Sequence, residues 1–232
     1  MSHQPHDIFE NRNQFQLERM ILFSDAVFAI AITLLIIEIK IPEVKDNETL
    51  WDAFRRFDTI SGIIGLALSF AIIGQFWTNH HRLFGYVNNY DGGLLWVNLH
   101  MLFWVILMPF SSAISAKYGG HSSVWMFYCF NMFMIGISIF FLWVYITNPK
   151  RKLSWIANDP AIRKMARVRS FSISCIFLLG ALLSIPDGDL AFIAAHSVFF
   201  LIFPVMTIVK RRYQPKKINP ALKAGPYYKD EE

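Results

Sequence analysis

Long stretches without Asp, Glu, Lys or Arg constrain the fold of this 232-residue chain more than any other feature of its sequence. A helix needs about 20 mostly apolar residues to cross the hydrocarbon core of a bilayer, roughly 30 Å thick. Five charge-free stretches approach or exceed this length, and a sixth contains a single carboxylate, that of Asp25. In chain order, the six stretches are Met20–Ile37, Thr59–His81, Gly92–Ala116, Tyr118–Pro149, Ser170–Pro186 and Leu190–Val209.

The composition is also that of a membrane protein. Apolar residues make up 54% of the chain and charged residues 17%, whereas an ordinary soluble domain has about 25% charged residues. Too few charges are present to cover the surface of a soluble enzyme of this size. We therefore predict an all-α integral membrane protein with six transmembrane helices per chain. Its parts are an N-terminal segment (1–19), a six-helix transmembrane domain (20–209) and a basic tail (210–232).

Two of the six spans do not have the length of one crossing. The stretch Tyr118–Pro149 is too long, so we expect its helix to begin near Val124. The stretch Ser170–Pro186 is short, and we expect Val168 and the aliphatic stem of Arg169 to complete it.

A short amphipathic segment precedes the second span. Leu50, Trp51, Phe54 and Phe57 recur at helical spacing, and charged residues lie between them. This pattern predicts a short helix in the membrane interface on the outer side.

The basic residues indicate the orientation of the chain in the membrane. Seventeen of the 22 Lys and Arg residues lie on the side that holds both termini, and five lie on the other side. Because cytoplasmic loops carry an excess of Lys and Arg, both termini are expected in the cytoplasm, with the chain in the inner (cell) membrane. We interpret the basic clusters as topology signals that also touch anionic lipid, and not as a nucleic-acid site.

Polar groups inside the first span set it apart from the others. Asp25 lies about one and a half turns inside the cytoplasmic end, where an ionisable side chain is costly and usually faces the interior of a bundle. Groups at similar depth could surround it and form a polar network; they are Arg19, Ser24, His80 or His81, and Asn98. The network is either structural or a site that couples protons or ions.

One face of the first span is apolar. On a helical wheel Ile30, Leu34 and Ile37 lie within about 60° of one another, Thr33 lies beside them, and Ser24 and Asp25 lie opposite. If the polar side packs inside its own subunit, the apolar ladder is free to face lipid, another core helix or an axis shared with other subunits. From spacing alone, packing against another helix of the core is the commonest answer.

Two other functional classes deserve comparison. A proton- or sodium-coupled secondary transporter could use Asp25 as its coupling site, although such proteins often have helices broken by Gly or Pro near the midplane. A membrane enzyme would need a nucleophile and a base at matching depth; Ser112 and His196 could be suggested, but no G-x-S-x-G elbow is present. We therefore do not expect an enzyme, and we expect neither a metal site nor a cofactor.

Segments of the first three spans carry a family resemblance. Residues 19–25 form an RxxxFSD motif at the start of the first span, and the similarity continues through Ala26–Leu35. Further similar segments are Phe76–Arg82 in the second span and Asn98–His100 with Leu107–Phe110 in the third. These segments resemble the transmembrane-protein-175 family of potassium channels. The last three spans resemble it only in layout.

The resemblance implies a homotetramer in which the first helix of each subunit lines a central pore. It assigns the constriction to Ile30, Leu34 and Ile37, and a preference for potassium to the hydroxyl of Thr33. The expected function is a potassium-permeable, weakly selective channel for monovalent cations in the lipid bilayer. No TVGYG-like carbonyl filter occurs in the sequence.

Overall fold

The computed structural model describes residues 5–38, 41–55, 57–186 and 188–213, and within these ranges the chain is helical without any β-strand. Six helices or helix pairs are long and apolar enough to cross a membrane, which confirms the predicted number. They comprise Arg12–Ile37, Gly62–Phe84, Gly92–Tyr118, Ser122–Ile146, Pro160–Leu183 and Asp189–Tyr213.

Nine α-helices make up these spans and one short element outside them, counted over the described residues. In order they are α1 (Pro5–Leu34), α2 (Leu50–Arg55), α3 (Phe57–Phe84), α4 (Gly92–Ile106), α5 (Met108–Tyr118), α6 (Ser122–Ile146), α7 (Pro160–Leu183), α8 (Asp189–Ser197) and α9 (Ile202–Tyr213). The basic tail beyond Tyr213 lies outside the described residues.

Helix α1 begins before Met20, where the predicted span starts, and ends at Leu34, three residues before the predicted end at Ile37. It starts at Pro5, so the helix continues through residue 20 without a break, and its last turn tightens into a 3-10 helix over Leu35–Glu38. A proline fits the first turn of a helix because the N–H it lacks would have no partner there. The boundary drawn at residues 19 and 20 therefore falls inside a continuous helix.

Two spans are interrupted where proline removes a backbone donor. Helix α4 ends at Ile106 and α5 begins at Met108, one residue before Pro109. In the last span a 3-10 turn over Val198–Leu201 separates α8 from α9, which contains Pro204. Each proline takes away the hydrogen bond that its N–H would give to the carbonyl four residues earlier.

The fifth span is longer than the charge-free stretch suggested. Helix α7 begins at Pro160, ten positions before Ser170, because Asp159 caps it by accepting hydrogen bonds from the backbone N–H of Ala161 (2.8 Å) and Ile162 (3.1 Å). Val168 and Arg169 lie within this helix, as expected. Helix α6 begins at Ser122, close to the predicted start at Val124.

A short helix, α2, forms at Leu50–Arg55, where the sequence predicted one, but Phe57 begins α3 instead of belonging to it. Thr49 and Asp52 form a reciprocal cap, in which the N–H of Thr49 donates to the carboxylate of Asp52 (3.0 Å) and the N–H of Asp52 donates to Oγ1 of Thr49 (3.2 Å). The Thr49 hydroxyl also donates to the Asp52 carboxylate (2.5 Å), and this bond, together with the bond from the Thr49 N–H, lowers the pKa of Asp52 below its ordinary value. Leu50, Trp51 and Phe54 are exposed, as a membrane-facing side requires.

Small residues bring α6 and α7 close together. Gly136 lies so near Ser174 that an added Cβ would be 2.7 Å from the Ser174 hydroxyl oxygen. Gly180 packs in the same way against the buried Cys129, with a distance of 3.1 Å from the place of a Cβ to Sγ. Close backbone approach of this kind is the usual basis of helix association in membranes.

The start of α4 is fixed to the end of α6, and this positions the polar residues of α4. The Asp91 carboxylate caps α4 by accepting from the N–H of Leu94 (2.7 Å), and it also accepts from the hydroxyl of Tyr145 (2.9 Å). Arg151 completes the cluster with a 3.2 Å ion pair to Asp91. Asn98 and His100 follow on α4, four and six residues after Leu94.

Candidate functional site

Helix α1 has one face inside the subunit and one outside it. The buried residues recur every three or four positions, as expected for one side of a helix that packs against its neighbours. They are Leu17, Met20, Ser24, Phe28, Ala31 and Leu35. Helix α1 therefore packs through a single stripe, and Ser24 lies at the middle of that stripe.

Ser24, Asn98 and His80 form a chain of hydrogen bonds that joins three spans. The Ser24 hydroxyl donates to the backbone carbonyl of Met20 (2.8 Å), and Nδ2 of Asn98 donates to Ser24 Oγ (2.8 Å). Oδ1 of Asn98 lies 2.9 Å from Nε2 of His80. All three side chains are buried. Because Oδ1 can only accept, Nε2 of His80 carries the proton of this bond.

Aromatic rings enclose His80. Its ring centroid lies 5.5 Å from that of Phe28 on α1 and 4.4 Å from that of Phe84 on its own helix. Its Nδ1 has no hydrogen-bond partner among the described residues. With Nε2 as donor, the neutral ring exposes a lone pair at Nδ1, and a lone pair costs less to leave unpaired than an N–H group.

Asp25 uses a different partner. Its carboxylate accepts a 2.9 Å hydrogen bond from the indole N–H of Trp77 on α3, and it is half-buried at the edge of the packed face of α1. His81 is exposed and stacks on the Trp77 ring, with centroids 5.5 Å apart. The two adjacent histidines thus have separate roles, which the sequence left open.

The structure brings together most of the predicted polar network, in two parts. Ser24, His80 and Asn98 form the buried part, and Asp25 and His81 meet through Trp77. Arg19 belongs to neither: it is exposed, and its guanidinium carbon lies 5.7 Å from the centroid of the Phe15 ring. The sequence analysis did not include Trp77 in the polar network, although its spacing of four from His81 could have indicated the ring pair.

The apolar ladder lies on the outer face of the subunit. Ile30 is 57% exposed, Leu34 40% and Ile37 72%. Thr33 is exposed beside them, and its hydroxyl donates to the carbonyl of Ile30 (2.9 Å). Ile37 lies in the 3-10 turn, so the wheel of 100° per residue holds only up to Leu34. The expectation from spacing, that the ladder packs inside its own subunit, is therefore wrong: all three side chains are exposed on the subunit surface.

The remaining span histidines have protein partners. Nδ1 of His100 lies 3.0 Å from the Ser138 hydroxyl, and its Nε2 accepts from the Trp104 indole at 3.3 Å. His196 stacks on Trp125 with ring centroids 3.8 Å apart. Within the part of the chain that the structure describes, no group of three His, Cys, Asp or Glu side chains could hold a metal ion.

Comparison with known proteins places these residues in a family. The profile of the family described as endosomal/lysosomal potassium channel TMEM175 matches residues 19–109. A potassium channel of Streptomyces collinus is 33% identical over 185 residues, which cover 76% of this chain and 83% of that protein. A potassium channel of a Chryseobacterium species is 40% identical over 94 residues, which cover 40% of this chain but less than half of that relative, 46%.

The fold matches a solved structure as well. The lysosomal potassium-selective channel TMEM175 homologue from Chamaesiphon minutus superposes with a TM-score of 0.64 and 29% sequence identity. The match covers 87% of this chain and 100% of that one. All six spans therefore share one architecture with that structure, including the last three, for which the sequence indicated only a similar layout.

Proposed function

The chain belongs to the TMEM175 family of ion channels, and we propose that it forms a potassium-permeable, weakly selective channel for monovalent cations. The proposed assembly is a homotetramer in the inner (cell) membrane, with both termini in the cytoplasm. The first helix of each subunit, α1, lines the central pore. Ile30, Leu34 and Ile37 form the constriction, with Thr33 beside them.

The observation that carries this proposal is the division of α1 into two faces. The polar residue Ser24 is satisfied inside the subunit, through Asn98 and His80. The apolar ladder is exposed on the subunit surface. Because the ladder face of α1 is not covered by the rest of the subunit, it is available to face a symmetry axis shared with other subunits.

Rings of branched aliphatic side chains close a pore without a plug. Water leaves a narrow apolar constriction, and a cation that would have to shed its hydration shell does not cross. Widening the ring lets a partly hydrated ion through. Potassium loses less hydration free energy than sodium when it sheds water, and the Thr33 oxygen can replace one of the lost water ligands. We expect a selectivity of about tenfold, equivalent to about 1.4 kcal/mol.

In this mechanism the polar network has a structural role. Asp25 is held by Trp77, and Ser24, Asn98 and His80 hold α1 against α3 and α4. The relatives are named channels, so a coupled transporter that uses Asp25 is not favoured. The full chain in liposomes distinguishes the two, because a channel passes ions passively and a coupled transporter requires a proton or sodium gradient.

The test is reconstitution with a potassium gradient, together with the mass of the detergent-extracted particle. We expect potassium flux without a proton or sodium gradient, and a protein mass four times that of the 26.9 kDa chain. A monomeric particle, or flux only when a second ion gradient is imposed, would contradict the proposal.

A further inference from the structure

We propose that a cavity between α3, α6 and α7 binds an anionic phospholipid, with the phosphate between Arg82 and Arg169 and an acyl chain along the apolar walls. The cavity has a volume of about 300 Å³, at the lower end of the range for ligand sites. Its lining is largely apolar, and the main contributors are Ile72, Phe76, Ile139, Met165, Ile173 and Phe177.

The polar residues of the cavity lie together. Gln75, Asn79 and Arg82 are spaced by four and three positions on α3, so they share one face of that helix. Arg169 reaches this face from α7, where its Nη2 lies 3.5 Å from Oδ1 of Asn79. The cavity is therefore amphipathic, with an apolar body and a row of polar groups that leads to two guanidinium groups.

Among the described residues, the lining of the cavity contains no Asp or Glu that could pair with the two guanidinium groups. Arg82 is a like-charged neighbour of Arg169. Arg169 is only partly exposed, so water compensates its charge incompletely. Arg82 is exposed, so its charge is hydrated, but it still repels the partly buried charge of Arg169, for which the loss of water is unfavourable unless an opposite charge joins it. An anion between the two arginines would relieve this cost.

The chemistry of the cavity favours a phospholipid over a free inorganic anion as the ligand. Planar guanidinium groups bind the oxygens of phosphate in pairs. A free inorganic anion would leave the apolar walls facing water, whereas a phospholipid covers them with an acyl chain. Both arginines also belong to the side of the protein with the excess of Lys and Arg, which meets the anionic leaflet in the predicted orientation.

Native mass spectrometry of the full chain in detergent tests the proposal, with phosphatidylglycerol, phosphatidylcholine or inorganic phosphate added. We expect phosphatidylglycerol to remain bound. The variant Arg82→Gln/Arg169→Gln should weaken its binding by about tenfold or more, since two charge-assisted contacts are lost. The control Lys210→Gln/Arg211→Gln removes the same charge from exposed positions on α9 and should bind like the wild type.

A second variant tests the apolar part and covers the case in which the double arginine variant does not fold. Met165→Trp fills the cavity and keeps both arginines, and we expect it to lower phosphatidylglycerol binding as well. Equal binding of phosphatidylglycerol by the wild type and either cavity variant would overturn the proposal. So would equal retention of phosphatidylcholine, which indicates an apolar cavity without headgroup selection, or equal retention of inorganic phosphate, which indicates an anion site. The measurement does not depend on ion conduction, so it is independent of the proposed channel.

Discussion

Asn98 on α4 donates a 2.8 Å hydrogen bond to the hydroxyl oxygen of Ser24 on α1, between two fully buried side chains that are 74 positions apart in the chain. The amide oxygen of Asn98 accepts from Nε2 of His80. Removing Asn98 leaves His80 Nε2 without its partner where water is scarce, and this cost exceeds the value of the bond itself. The first prediction follows from this bond.

Asn98→Leu should destabilise the protein by about 1–3 kcal/mol, because Ser24 and His80 lose their common partner. Thermal unfolding in detergent measures the effect. Thr78→Val is the matched control, since the Thr78 hydroxyl bonds only to the carbonyl of Gly74 on its own helix. A double-mutant cycle of Ser24→Ala and Asn98→Ala should give a coupling of about 0.6–1.7 kcal/mol, the range found between membrane helices. A coupling energy of zero would show that the hydrogen bond between Ser24 and Asn98 does not stabilise the protein.

Ile30→Asn should open a leak, because an amide in the constriction retains water and permits ions to pass. Potassium flux into liposomes is the measurement, and Ile37→Asn should act in the same direction. Ile64→Asn on α3 is the control, since Ile64 is 55% exposed and Ile30 57%. Unchanged potassium flux in both Ile30→Asn and Ile37→Asn would show that the ladder does not line the pore. An equal leak in the Ile64→Asn control would indicate general damage to the fold.

Trp77→Phe should lower stability or the yield of the assembled particle and leave ion preference unchanged, because Asp25 loses its 2.9 Å donor. The expected loss is about 1 kcal/mol, as for one hydrogen bond. Trp96→Phe serves as control, since Trp96 is 72% exposed. Normal yield with altered selectivity would assign Asp25 to the ion pathway.

Arg19→Ala and Asp25→Ala separate two members of the sequence motif. The sequence places both residues in the predicted polar network. In the structure, however, Arg19 is exposed and contacts Phe15, outside that network. We now expect a clear loss of particle yield for Asp25→Ala and a small one for Arg19→Ala. Equal losses would show that Arg19 acts on the network in the assembled protein.

Gly136→Ala should destabilise the α6–α7 pair by about 1–3 kcal/mol, the usual cost of overpacking. The new methyl group would lie 2.7 Å from the Ser174 hydroxyl oxygen, so either the Ser174 side chain leaves its bond to the Ser170 carbonyl or one of the helices shifts. Gly74→Ala is the matched control, because nothing lies within 4 Å of the place of its Cβ. The measurement compares the unfolding temperatures of the two variants in the same detergent. An unfolding temperature of Gly136→Ala equal to that of Gly74→Ala would show that α6 and α7 are not closely packed at this position.

The cap of α2 should depend on pH. The pKa of Asp52 is lowered in the folded chain, so ionised Asp52 contributes stability above its ordinary value of 3.8, and this contribution is lost as the pH falls through the lower folded value. Thr49→Ala should return the pKa toward 3.8. Carbon-13 NMR of the Asp52 carboxylate follows the titration. Thr59→Ala is the control, since Thr59 bonds to the carbonyl of Ala53 and should leave the pKa of Asp52 unchanged.

Some helix boundaries could have been predicted, and others could not. The Asp159–Pro160 pair is a local signal for the start of α7. The charge-free stretch begins later, at Ser170, because the first turns of that helix carry Arg163, Lys164 and Arg167. The change of α1 to a 3-10 helix at Leu35 has no proline or glycine to mark it. Pattern alone therefore could not locate the end of α1.

The sequence by itself determined the number of membrane spans and the polar character of one side of α1. The physical reason is local: a charge inside hydrocarbon costs free energy wherever the rest of the chain lies, so the spans are visible as charge-free stretches. Only the tertiary structure decided that His80 rather than His81 joins Asn98, that Trp77 holds Asp25, and that Arg82 and Arg169 share a cavity. Adjacent side chains on a helix point about 100° apart, and the packing of distant helices selects which of them is buried.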